Sequence, residues 1–448
     1  MNGGTFTPGT EKKRPGIYFN FKTTAEQRIT LGDRGTVALP LVMSWGEPKT
    51  FISVSNMEDL NKKVGLNIDD KSLLLFREAK KKAQTVLLYR LNEGEPAKAE
   101  IAENFVVTAN YGGLKGNEIT VQVAENVLDS TKRDVITYLG TDIVDKQVVT
   151  DVKDLVKNKY VQFSGEGEAV ITAGVALSGG KNGVASVADY TAFLEAAETE
   201  YFDVIALPID NSEQLKATFA SFIERLRDKQ GRKVQGVVAN YAADQEGIIN
   251  VTSGVVLEDG TELTPAQTTA WVAGASAGAN FNQSLTFVEY EGAVDTLERL
   301  DNDQVEYRLS QGEFLFTFDA RDRTVSVEKD INSLTSFTAE KNQQMAKNKI
   351  IRVLDAINND LTFELKNLIK LRKANGNDIP ASDDGVQLVK TLITQYLTQL
   401  QDGSGITGFN SETDIVIGLN EDRDGFIIDL AVQPVDAAEK FYFNVEVK

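Results

Sequence analysis

The chain contains no histidine. That absence removes the commonest general base, the Ser-His-Asp triad and most transition-metal sites together. It contains no cysteine either, which excludes disulfides, iron–sulfur clusters, thiolate zinc sites and cysteine nucleophiles. Prolines are few, nine in 448 residues, and no long polar or low-complexity tract breaks the sequence, so extended disorder is not expected. No run of about 20 apolar residues exists to span a bilayer. The segment Met1 to Thr10 is polar and rich in Gly and Thr. It lacks the apolar stretch of a secretory signal, so the chain is expected to be made and kept in a cytoplasm.

What is present is enough apolar material, 42% of residues, to build about two to four domains. Acidic residues outnumber basic ones 66 to 47, a net charge of −19. A field of that sign repels phosphate backbones, so no direct nucleic-acid partner is expected. Lys80-Lys81-Lys82 is a local exception that reads as the solvated face of a helix.

Hydrophobic periodicity divides the chain into regions of different texture. Met1 to Pro15 reads as an arm, punctuated by Pro8-Gly9 and Pro15-Gly16, followed by a strand at Ile17 to Phe21. From 31 to 95, strands at Thr36 to Trp45 and Thr85 to Leu91 alternate with helices at Ser55 to Val64 and Ser72 to Ala83. From 96 to 180, short alternating segments separated by turn residues predict an inserted antiparallel β domain, interrupted by a helical patch at Val152 to Lys157. From 181 to 330 the strand–helix rhythm returns, which implies a largely parallel sheet. Thr264-Pro265 supplies an N-cap and a first-turn proline for a helix reaching Ala279. From 331 to 448 the pattern predicts a helical region at Ala339 to Lys373 that bends near Asn358-Asn359. A second helix at Gly385 to Gln401 and a hairpin around Asn420 to Asp424 follow. The fold class expected is α/β multidomain, with a C-terminal α+β unit.

Three segments carry a trace of chemistry, and each has a plainer reading. Gly174 to Lys181 resembles a phosphate loop, but its spacing is off by one residue and Asn182 stands where the magnesium-holding Ser/Thr belongs. A glycine turn leading out of the β domain fits better. Gly274 and Gly278 have the spacing of a helix-dimerisation motif, here in a helix that is no membrane span; small residues at that spacing let a buried helix approach a sheet. Asn420, Asp422, Asp424 and Gly425 match the start of an EF-hand loop, yet Ala431 replaces the bidentate glutamate and strands flank it. A polar hairpin loop is favoured. No catalytic residue, cofactor site or metal site is assigned. An α/β hydrolase working through carboxylates, Ser, Lys or Tyr is the alternative of a different class.

Several segments in order resemble the contractile phage tail sheath family, nearest to the sheaths of Gram-positive phages and defective prophages. They are Met1 to Phe6 with Arg14 to Phe21, Gly35 to Pro40 with Ser44-Trp45-Gly46, Asn110 to Asn117, Thr264 to Ala279 with Ser284 to Val294, and Asp330 to Thr335 with Arg352 to Asp355. The resemblance implies a β-sandwich domain, a central α/β domain likened to subtilisin in fold, and a C-terminal domain. It also implies hexameric rings stacked as a helix around a tail tube, contraction that drives the tube through a target envelope for genome ejection, and a place in the virion tail. The implied partners are copies of the chain itself, the tube protein, the baseplate and the tail terminator, without direct membrane contact. The sheath of a phage-derived bacteriocin would look the same, and a surface-layer subunit is opposed by the missing export signal.

The two termini suggest how such a polymer forms. Phe441, Phe443, Val445 and Val447 alternate with polar or amphipathic neighbours up to the last residue, and Ile17, Phe19 and Phe21 alternate with Tyr18 and Asn20. An exposed, patterned strand invites pairing with another chain. Burying four apolar side chains gains roughly 6–12 kcal/mol, while fixing eight residues costs roughly 8–16 kcal/mol of backbone entropy. The terms nearly cancel, so order is expected only on a neighbour's sheet. Ile17, Tyr18, Phe19, Phe21, Phe441, Phe443, Val445 and Val447 are therefore the candidate strand-exchange residues, with Thr10 to Arg14 and Gln433 to Ala438 as hinges.

Overall fold

The computed structural model describes residues 34–447 and two further short strands, Gly4–Thr5 and Tyr18–Phe19. Its centre is a seven-stranded sheet ordered Glu313–Phe314, Ile248–Val251, Gln235–Ala239, Val204–Leu207, Thr36–Leu41, Thr85–Arg90, Phe51–Val54. All neighbours are parallel except the last pair, which is antiparallel. The segments read separately as 31–95 and 181–330 thus share one sheet, because Thr36–Leu41 and Val204–Leu207 pair directly.

Strand periodicity divides the side chains between two cores. Val37, Leu39, Val86 and Leu88 face the helices Leu74–Lys80 and Pro265–Gly278. Ala38, Leu87 and Tyr89 face Phe193 of helix Val187–Ala197 and Phe219 and Ile223 of helix Glu213–Glu224. Both faces being covered explains why these strands are continuous apolar runs. The Pro265–Gly278 helix is buried nearly all round and opens with the Thr264 capping box, the Thr264 hydroxyl accepting from Gln267 N–H. Its two spaced glycines meet another helix and the turn that follows it, not the sheet. A Cβ on Gly274 would lie 2.2 Å from the Ala79 carbonyl oxygen, and one on Gly278 2.2 Å from that of Lys82.

The region after Thr85–Arg90 is a sandwich of two antiparallel sheets. One has the order Asp142–Val149, Arg133–Leu139, Ile119–Glu125, Thr172–Ala176; the other Val161–Gly165, Phe105–Gly112, Pro96–Ala102. The helical patch expected at Val152 to Lys157 shrinks to one turn, Val152–Asp154, capped by Asp151. The phosphate-loop look-alike ends the domain: Thr172–Ala176 is a sandwich strand, and Ser178 and Lys181 bridge to Lys98 and Glu95.

The C-terminal unit packs helix Asn348–Ala374 against helix Asp383–Asp402 and the hairpin Ile415–Leu419 with Phe426–Leu430. The long helix starts later than the apolar pattern suggests and runs unbroken through Asn358 and Asn359. Those asparagines do not bend it; they bond backbone carbonyls of the central unit, Asn358 Nδ2 to Gly231 and Asn359 Nδ2 to Lys233. The EF-hand look-alike is the hairpin turn, with Asn420 Oδ1 accepting from Asp424 N–H and Gly425 N–H.

Candidate inter-subunit surface

The body that carries the termini is fastened at both edges of the central sheet. At the carboxyl edge, Arg90 is buried and donates to the carbonyls of Gly46, Glu93 and Gly112 at 2.5, 3.0 and 2.6 Å. Burial pushes its pKa down to about 10. Asn92 bridges to Met43 N–H and C=O and to the Asn182 carbonyl, and Trp45 meets Tyr111 edge-on at 5.3 Å. At the amino edge, Asp203 Oδ2 accepts from Gly35 N–H and Thr36 N–H, each 2.9 Å away; burial raises its pKa. Arg227 grips Asp355 with two bonds of 2.7 and 2.9 Å. Arg352 donates to Asp330 at 2.6 Å and to the Gln283 carbonyl at 2.7 Å, and Asn348 Nδ2 adds a 3.0 Å bond to Asp330. The Arg90, Arg227 and Arg352 guanidinium groups and the Asp330 and Asp355 carboxylates are nearly inaccessible, while Asp203 is half-buried.

From this body the C-terminal arm emerges in two stages. Its root is docked: Thr407 N–H donates to Gln433 O and Val435 N–H to Gly405 O, both at 2.9 Å, around an Ile406–Pro434 bridge. Asp436 then pairs with Lys347, and Glu439 accepts from Ser284 Oγ at 3.1 Å and Thr286 Oγ1 at 2.7 Å. The expected hinge at Gln433 to Ala438 is thus displaced, because hydrogen bonds hold that segment to its own subunit; the chain leaves the body after Glu439. Beyond that point Phe441, Phe443, Val445 and Val447 are 73–91% exposed and pair with no strand among the described residues. A groove of about 510 Å³ opens at the arm's foot, with Lys329, Lys347, Lys440 and Phe337 in its lining. Burial lowers the pKa of Lys329, which Glu439 opposes.

The hairpin Ile415–Leu419 with Phe426–Leu430 stands as a two-stranded sheet. Ile415, Ile417, Phe426, Ile428 and Leu430 lie toward the helices, while Val416 and Ile427 are more than half exposed on the other side. Among the described residues neither outer edge carries a further strand, and such an edge offers unpaired backbone groups. Sequence periodicity marks the arm and the short hairpin, but not the hairpin's open edges; a two-stranded hairpin is too small to stand alone in water.

At the other terminus, Tyr18–Phe19 pairs in parallel with Gly4–Thr5, in the register Gly4–Tyr18 and Thr5–Phe19. Ile17, Phe21 and the expected hinge Thr10 to Arg14 lie outside the described residues.

Four domain families match the chain in order. They are the tail sheath protein Gp18 domain III N-terminal region over 34–91, the phage tail sheath protein β-sandwich domain over 92–182, the phage tail sheath protein central domain over 183–333 and the phage tail sheath C-terminal domain over 340–448. Full-length relatives agree: the phage-like element PBSX protein XkdK of Bacillus subtilis is 66% identical over 100% of both chains. The chain belongs to the phage tail sheath family. A second B. subtilis relative, the uncharacterized protein YqbK, is 68% identical over the full length of both. The crystal structure of the sheath tail protein Lin1278 from Listeria innocua is 51% identical and superimposes with a TM-score of 0.83, covering 93% of this chain and 96% of that one. The contracted helical sheath of the anti-feeding prophage shares the fold at 12% identity, TM-score 0.56, covering 97% and 99%. The sheath subunit therefore combines a β-sandwich with α/β domains, and the alternative of a surface-layer protein falls.

Proposed function

We propose that this sheath subunit polymerises by strand exchange: the terminal segment Phe441 to Val447 of one copy adds to the hairpin edge of another. The observation that carries the reading is the arm itself, a strictly alternating strand left exposed by its own subunit beside a root that is docked. Added to the edge of Ile415–Leu419 or Phe426–Leu430, its Phe and Val side chains would extend the hairpin's apolar inner face over the helices. Such a head-to-tail contact does not close on itself and builds a helix. The N-terminal strand residues Ile17, Tyr18, Phe19 and Phe21 are the second donor in this scheme. Stacked rings around a tail tube, capped by terminator and baseplate, assembled in the host cytoplasm and contracting to drive the tube through an envelope, complete the reading. A phage-derived injection particle would use the same subunit.

The chain works without catalysis in this reading. The central domain's likeness to subtilisin is one of fold, since no histidine exists to complete a triad. The carboxyl edge of the parallel sheet, where α/β enzymes place ligands, is occupied by the sandwich mount at Arg90 and Asn92. Contraction would draw on new contacts between rigid subunits, so purified sheath is expected to contract without ATP. Deleting Phe441 to Lys448 is expected to leave a folded, soluble subunit that forms no tubes. Normal long tubes from that variant, seen by sedimentation or negative stain, would overturn strand exchange.

A further inference from the structure

The loop Ser284 to Phe287 is unusual in two ways. Phe287 has φ of 64°, a left-handed backbone that a bulky aromatic residue rarely adopts, and the residue is 66% exposed. Such strain is found where the surrounding structure demands a particular presentation. The loop is held from below: Phe287 N–H donates to Val327 O at 2.8 Å, Leu285 N–H to Asp330 Oδ2 at 3.0 Å, and Asp330 N–H to Thr286 Oγ1 at 3.0 Å. What it presents upward is a pair of hydroxyls, Ser284 and Thr286, both bonded to one oxygen of Glu439.

We infer that Glu439 is a positioning residue that sets the take-off direction of the exchanged strand, with Ser284 and Thr286 as its cradle. Among the described residues Glu439 is the last arm residue with a side-chain bond to the body, two positions before Phe441. Its partners rest on Asp330, the buried partner of Arg352 at the amino-edge junction. The direction of the free strand is thereby referred to the rigid body, not to the chain's own torsions. Asp436 on Lys347 supplies the second point, and two points define an axis. An arm that leaves along a fixed axis loses less freedom when it docks on a neighbour, which favours binding through preorganisation.

The inference rests on the strand-exchange reading, and the experiment separates them. Since the chain has no cysteine, Asn444→Cys gives a single labelling site for a fluorophore on the arm of the full-length subunit. Glu439→Ala is expected to lower the label's anisotropy in the free subunit and to raise the concentration needed for tube formation by about tenfold, the effect of losing charge-assisted hydrogen bonds. Glu439→Gln, which keeps a neutral oxygen for the two hydroxyls, is expected to recover part of both, and the melting temperature should stay at the parent value. Unchanged anisotropy in Glu439→Ala, or tube formation at the parent concentration, overturns the clamp. If deletion of 441–448 abolishes tubes while Glu439→Ala assembles normally, the clamp fails and strand exchange stands. If the deletion assembles normally, strand exchange itself fails.

Discussion

The two edges of the central sheet are joined to their neighbours by different chemistry. A parallel sheet ends in free carbonyls at one edge and free N–H groups at the other. At the carboxyl edge the sandwich is mounted by donors: Arg90 and Asn92 reach the carbonyls of Gly46, Glu93, Gly112, Met43 and Asn182. At the amino edge Asp203 takes the N–H groups of Gly35 and Thr36 within the central unit, and the C-terminal unit is mounted by buried ion pairs, Arg352 on Asp330 and Asp355 on Arg227, with Asn358 and Asn359 donating to the Gly231 and Lys233 carbonyls. The lesson is that the two junctions fail differently: one rests on side chains that reach backbone carbonyls, the other on buried charges that must stay paired.

Breaking one partner at the amino edge should have the largest effect. Arg352→Ala leaves Asp330 buried and unpaired, and is expected to destabilise the subunit by about 3–5 kcal/mol in denaturant titration. Replacing Arg227 and Asp355 together by Met and Leu should cost far less than either single alanine, since no charge is then stranded. An equal loss in the double variant would show that the pair stabilises beyond mutual neutralisation.

The carboxyl edge should respond more weakly and through sterics. Gly113 has φ of +136°, and a Cβ there would lie 2.0 Å from the Ser44 carbonyl oxygen. Gly113→Ala is expected to cost about 1–3 kcal/mol and to increase hydrogen exchange at the 44–46 and 112–114 backbones together. Exchange rising in only one of those segments would separate the two halves of the junction.

The smallest effect is expected at Asp244, beside neither mount. The Ser336 and Thr335 side chains and amides hold its carboxyl below the ordinary 3.8, at about 2. A depressed carboxylate pKa stabilises the fold above the unfolded value and loses that contribution as pH falls through the folded one. Asp244→Asn should therefore cost less than about 1 kcal/mol at neutral pH, given its exposure to solvent. The difference from the parent should vanish as pH drops from 3.8 toward 2. A difference that persists at the acid end would assign the effect to shape and not to charge.

The segments that carried the family resemblance turn out to be these joints. Ser44-Trp45-Gly46 meets Tyr111-Gly112-Gly113, Asp330 meets Arg352, and Ser284-Thr286 meets Glu439. Each pair is separated by tens of residues or more, so no periodicity could connect them. The long helix was legible from its apolar stripe, but its first turn was not, since Lys347 carries no capping side chain there. The hinge was misplaced for a related reason: Gln433 to Ala438 looks like a polar linker, and only its docking against Gly405 to Thr407 and Lys347 shows it to be fixed.

By itself the sequence determined what is local or compositional. Zero histidines and cysteines, the period-2 strands that split into two cores, the Thr264-Pro265 helix start and the alternating terminal arm all follow from residue type and spacing. Tertiary structure alone decided which distant residues share a junction, where the arm leaves the body and which hairpin edges are left without a further strand among the described residues. The reason is physical: propensity and periodicity act over a few residues, whereas buried ion pairs, close glycine contacts and unpaired strand edges exist only after remote segments have been brought together.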